Sequence, residues 1–178
     1  MKIISIFLFL SAHFFSPSVQ EEKIEWSDDY QLQWSDFKAT TASGSGFIAS
    51  TSSGIAYSYS YREVNGKKNI KVIVACNFYP QKSWYSKNDA SDYVLKHEQN
   101  HFDISELYKR IFNKRIDETQ FSDHMKKELE VLFYKTEDDR VEMQRKFDSE
   151  SDHSKNKEKE LDWETYVAQQ LVAYERWK

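Results

Sequence analysis

The sequence predicts an α+β fold: a small N-terminal antiparallel sheet or hairpin followed by a helical half. Three observations carry that reading. Ile55, Tyr57, Tyr59 and Tyr61 alternate with Ala56, Ser58 and Ser60, and Ile70, Val72, Val74, Cys76 and Phe78 alternate again, the period of a half-buried strand. Asn65-Gly66 between the two runs supports positive φ and marks a hairpin turn. Beyond Trp84 the apolar spacing changes to that of amphipathic helices.

The elements follow in order. Residues 1–20 carry a short positive start at Lys2, an apolar run from Ile3 to Phe15, and small residues Ser16 and Ser18. The run is too short to span a bilayer comfortably, so residues 1–18 are expected to be a secretory signal peptide and residues 19–178 a single domain. Trp26, Trp34 and Phe37 predict an early strand or turn packed on the hairpin sheet. The Ser/Thr/Gly/Ala run from Ala39 to Gly46 reads as an exposed loop, and Pro80 ends the second hairpin strand. Asn88 or Asp89 can cap a first helix running to about Asn113. Phe121, Met125, Leu129, Leu132 and Phe133 mark a second helix reaching Met143. Asp148 to Lys159 has no apolar period and reads as a loop. Trp163, Val167, Leu171 and Tyr174 share one face of a last helix.

Composition bounds the function. The 178 residues suit one domain, and an aromatic content of 16 % supplies a core, which excludes a disordered chain. The net charge of −4 gives no electrostatic case for a nucleic-acid partner. The single cysteine, Cys76, excludes an intrachain disulfide and a Cys-rich zinc module. Secretion without disulfides suits a bacterial envelope, periplasmic or external, with no stable membrane span after signal cleavage.

His97-Glu98-Gln99-Asn100-His101 is an HExxH pattern inside the first helix. Histidines at i and i+4 share a helix face, so both imidazoles can reach one metal ion, and Glu98 sits where it can take a proton from water at that metal. On a helical wheel Val94, His101, Ile104, Tyr108, Ile111 and Phe112 fall within about 60° of His97, whereas Lys96, Asp103, Glu106 and Arg110 lie on the far side. The pair therefore points toward the core, where imidazoles and a carboxylate need a partner to offset desolvation. Zinc (Zn2+) supplies one; a metal-free hydrogen-bonded cluster is the alternative. Catalytic zinc takes three protein ligands. Glu106 faces away, and the longer HExxHxxGxxH pattern fails at Ile104 and Leu107. His124, in a polar turn, and His153, in the polar stretch, are the remaining histidines of the mature chain.

Several segments resemble, in the right order, the bacterial domain of unknown function family 922, described as secreted zinc-dependent proteases. Trp34-Ser-Asp-Phe37 is similar to its W-x-D-F element, Ser83-Trp84 to its S-W pair, and Leu95 to Leu107 to its L-x-H-E-Q-x-H-F-D-I-x-E-L helix. Phe147 to Ser154 resembles its Y-D-x-E-T-x-H-[GS] element, with Trp163 at a downstream Trp. Phe147, Ser151 and Glu160 stand where the family has Tyr, Thr and Gln. The resemblance implies a zincin-like metallohydrolase domain, with His97, His101 and His153 holding zinc and Glu98 as the catalytic base. Asp152 and Glu150 are candidates for orienting or replacing His153.

The expected function is thus a secreted zinc metallohydrolase of the peptidase class, acting on a peptide or protein substrate, a cell-wall peptide included. The strand Ile70–Phe78 is expected to offer its edge to an extended peptide, with Ser83 and Trp84 bordering the cleft. The alternative is a non-enzymatic envelope protein that binds a partner through the Tyr57, Tyr59, Tyr61 face, with a structural metal or none.

Overall fold

The computed structural model describes residues 21–40, 46–64 and 67–178. The expected signal segment, most of the expected Ala39–Gly46 loop and the expected Asn65-Gly66 turn lie outside the described residues. The fold is α+β, antiparallel strands first and then three helices.

The alternating runs form the two long strands that their period requires. Strand β3 (Ser53–Val64) pairs antiparallel with β4 (Lys67–Phe78), from Ser53 opposite Phe78 to Val64 opposite Lys67. Strand β1 (Ile24–Glu25) adds to the other edge of β4, giving the order β1-β4-β3. Strand β2 (Ala49–Ser50) pairs with β5 (Trp84–Tyr85) as a separate two-stranded ribbon. Pro80 opens the 3-10 turn Pro80–Lys82 directly after β4, where its missing N–H costs nothing.

The helices are α1 (Asp92–Glu118), α2 (Met125–Ser151) and α3 (Lys157–Ala173). The cap of α1 is Ser91, whose side chain accepts from the Val94 N–H, rather than Asn88 or Asp89. Helix α1 is the central element, packed against the hairpin, both other helices and the C-terminal 3-10 turn Glu175–Trp177. Leu32, Phe37, Cys76, Phe78 and Phe102 fill the side toward the N-terminal segment. Ile55, Phe112, Met125 and Leu129 fill the side between hairpin and α2. Ile104, Phe147, Trp163 and Val167 fill the side toward α3.

This central position overturns two expectations. The far face of α1 is solvated only at Lys96: Asp103 is half-buried, and Glu106 and Arg110 are each 1 % exposed and form an ion pair at 2.9 Å. Arg110 also donates to the Leu171 carbonyl and to Glu175, both at 2.6 Å, and lies over the Trp26 ring. Asp103 accepts from the Trp26 indole at 2.8 Å. A helix packed on most sides buries part of its polar stripe as well, and ion pairing makes that tolerable. Second, the expected loop from Asp148 is the end of α2, which runs on to Ser151. The chain then turns through three consecutive left-handed residues, Asp152, His153 and Ser154, at φ 48°, 49° and 67°. Non-glycine residues adopt that conformation at a cost, and such strain concentrates where function fixes the backbone.

Candidate metal centre

Helix geometry places His97 and His101 one turn apart on α1, their Nε2 atoms 3.2 Å from each other. The last turn of α2 brings Asp148 against both: its Oδ1 lies 2.9 Å from His101 Nε2 and 3.3 Å from His97 Nε2. Two ligand atoms bound at about 2.0–2.1 Å to one tetrahedral ion are ~3.3 Å apart, so all three separations match a shared metal. Among the described residues, His97, His101 and Asp148 form the group whose donor atoms converge closely enough to hold an ion.

Each imidazole is oriented from behind. His97 Nδ1 lies 2.9 Å from Glu160 Oε1, on α3, and His101 Nδ1 is hydrogen-bonded to Gln144 Oε1, on α2. The Gln144 amide is itself fixed, donating to the His101 carbonyl at 2.8 Å. With Nδ1–H donated backward, each ring would offer an ion its Nε2 lone pair once Nε2 gives up its proton, the tautomer a metal requires. Phe147 stacks on His97 with ring centroids 4.5 Å apart and meets His101 edge-on, so it walls the rings with hydrocarbon.

The electrostatics favour a cation. Glu98, Asp148 and Glu160 surround the two imidazoles. Burial pushes the His97 pKa down, but hydrogen bonds to Asp148 and Glu160 and the charge of Glu98 outweigh it and raise it to about 9. Burial pushes the Asp148 carboxyl up, and hydrogen bonds from His101 and His97 overcome this and hold it well below the usual carboxylate range. Glu98 is 4 % exposed, and its Oε2 has no hydrogen-bond partner. Glu160 Oε2, behind His97, is likewise buried without a partner, so two carboxylate oxygens of this cluster are left open beside three donor atoms that could hold an ion.

His153 stands at the rim. It is 44 % exposed, its Nδ1 is 3.8 Å from Asp148 Oδ1, and its ring meets Phe47 edge-on across the cleft. The converging oxygen is therefore that of Asp148, while His153 abuts it. Of the other oxygen candidates, Glu150 accepts from the Trp163 indole and Asp152 caps α2. His124 is an exposed residue at the start of α2, and Glu106 is committed to Arg110. Asp148, Gln144 and Glu160 were not singled out from sequence as ligand, orienter and orienter; Asp148 and Glu160 showed only as positions within or beside the resembling Phe147–Ser154 segment, and Gln144 left no trace.

A cleft of about 490 Å3 opens over these residues, within the range of small-ligand sites. Residues 46–53 form one wall, α2 from Arg140 to Asp148 the other, with Trp84 at the edge. Ser83 is buried and structural: its hydroxyl accepts from the Ser52 N–H and donates to the Tyr79 carbonyl. No residue of β4 lines this cleft, so the sheet edge beside the centre is the Phe47–Ser53 segment and not Ile70–Phe78.

A family model described as bacterial protein of unknown function (DUF922) matches residues 22–154, a span that contains His97, Glu98, His101, Asp148 and His153 and ends before Glu160. No curated protein and no solved structure gives a match.

Proposed function

The chain belongs to the DUF922 family of bacterial proteins, matched over most of its length, and from the centre it carries we propose a zinc-dependent hydrolase of the peptidase class with a zincin-like arrangement. The observation that carries this reading is the convergence of His97 Nε2, His101 Nε2 and Asp148 Oδ1 beside the unpartnered Glu98 carboxylate. His97, His101 and Asp148 would hold the ion, with His153 beside Asp148. Bound zinc would polarise a scissile carbonyl and lower the pKa of a water. Glu98 takes the proton of the attacking water on its free oxygen and returns it to the leaving amine. Gln144 and Glu160 keep the imidazoles in the binding tautomer. Phe147 keeps bulk water from the back of the rings.

Placement outside the cytoplasm is part of the proposal and rests on residues 1–18; among the described residues no helix is long and apolar enough to cross a membrane. The test is hydrolysis of an unstructured protein by the purified, zinc-loaded chain. Activity should vanish with a chelator and return with zinc. Glu98→Gln should retain zinc and the wild-type melting profile while losing on the order of a hundredfold or more in rate. Full activity in Glu98→Gln would remove Glu98 from the mechanism.

A further inference from the structure

The charges that line the cleft are sorted by sign. Among the described residues its acids are Glu98 and Asp148, both at the candidate centre, where a divalent ion would offset them. The charged side chains elsewhere on the lining are basic: Arg140, Arg145 and Lys155. The facing wall, residues 46–53 with Trp84 and Val94, carries no charge. The cleft thus inverts the sign of a chain whose net charge is −4.

The three cations are not equally engaged. Arg140 is gripped by both oxygens of Glu137, its Nε and Nη2 each at 2.9 Å. Lys155 has Asp152 beside it at 4.0 Å. Arg145 is exposed, and among the described residues its guanidinium has no hydrogen bond, ion pair or ring contact. It stands on the face of α2 that also turns Val141, Gln144 and Asp148 to the cleft. Residues three apart on a helix are neighbours, with Cβ atoms about 5–6 Å from each other. Asp148 is nevertheless turned to the imidazoles, its Oδ1 2.9 Å from His101 Nε2, and leaves Arg145 open.

Resting on the hydrolase reading above, we propose that Arg145 is a specificity residue that selects peptides carrying a carboxylate close to the bond to be cleaved. The ligand class follows from the chemistry. A guanidinium stays charged at any working pH, and its planar fork meets a carboxylate with two parallel hydrogen bonds. A carboxylate is the anionic group of an unmodified peptide, on an Asp or Glu side chain or at the C-terminus. About 6 Å of extended chain is two residues, which places that carboxylate within about two residues of the scissile bond.

The test is a charge walk. Eight-residue Ala/Ser peptides carry one Glu at each position in turn. Each is paired with its Gln counterpart, and each is made with a free and an amidated C-terminus. Binding to zinc-loaded Glu98→Gln protein is measured by isothermal titration calorimetry. Arg145 requires one carboxylate position to bind at least fivefold more tightly than its neutral counterpart, with the difference shrinking as salt rises. Loss on Glu-to-Gln exchange assigns the group to a side chain, and loss on amidation assigns it to the terminus. Adding Arg145→Gln should erase the preference at unchanged zinc content and melting, and Arg145→Glu should turn it toward Lys peptides. Lys146→Gln, on the next residue of α2 and off the cleft lining, should keep it. No peptide binding, no carboxylate preference, or a preference that survives Arg145→Gln would overturn the assignment. Hydrolysis by the wild type is scored separately. A preference without hydrolysis keeps the carboxylate site and removes the enzyme, and hydrolysis without a preference does the reverse.

Discussion

His97 and His101 are held by different chemistry. The first donates its Nδ1–H to the carboxylate of Glu160, the second to the amide oxygen of Gln144. A charged acceptor raises the basicity of its ring more than a neutral one does. Glu160→Ala should therefore weaken zinc binding by about 10- to 100-fold, as removal of such partners typically does, with Glu160→Gln recovering part of it. Asp148 carries more, because its Oδ1 touches both Nε2 atoms. Asp148→Ala should cost more zinc affinity than His153→Ala, measured by competition with a chromophoric chelator. A larger loss in His153→Ala would move the third ligand to that rim histidine.

Helix α1 organises the element scale. Its buried Glu106–Arg110 pair ties the helix to the C-terminal turn through Leu171 and Glu175. Replacing Arg110 by Ala leaves the buried Glu106 only its longer contact to Lys109, at 3.3 Å, and should cost up to about 3–5 kcal/mol in chemical denaturation. Arg115 clamps α1 to α2 by bonding Thr136 and Asp139, and Lys135 pairs with the same carboxylate. Lys135 and Arg115 lower the Asp139 pKa, so this clamp stabilises the fold above the ordinary carboxylate pKa and is lost as pH falls through the lowered value. Asp139→Asn should flatten the acid side of the stability profile, and an unchanged acid slope would remove the clamp from the account.

What the sequence discloses follows from distance along the chain. The hairpin and the HExxH pair are local patterns, two and four residues in period, so their faces can be read directly. Gln144 and Glu160 lie 43 and 63 residues from the histidines they orient, and no local period encodes such contacts. Asp148 was hidden differently. The end of α2 packs through Phe147 alone while its other face lines the cleft, so the residues 144–150 lack the apolar repeat that announces a helix. The polar stripe of α1 misled for a related reason, since a wheel shows which residues share a face but not what covers it.

At the scale of the whole molecule, a metal bound by His97, His101 and Asp148 joins α1 to the end of α2, and Glu160 extends the link to α3. Ligand that binds only the folded chain stabilises it, by about 2.7 kcal/mol at a hundredfold excess over Kd. Zinc should therefore raise the melting temperature by roughly 5–10 °C, a shift that Asp148→Ala abolishes. The proposed secretion adds a separate expectation: intact mass of protein recovered from the envelope or medium should lack about 18–20 residues from the start.

The most direct test of the central claim is the zinc stoichiometry of the purified chain by elemental analysis, wild type beside His97→Ala/His101→Ala. The convergence of the two imidazoles and Asp148 beside the orphaned Glu98 oxygen requires one zinc per wild-type chain and none in the double variant. A wild-type chain that takes up no metal from excess zinc, or a double variant that keeps it, would contradict the account.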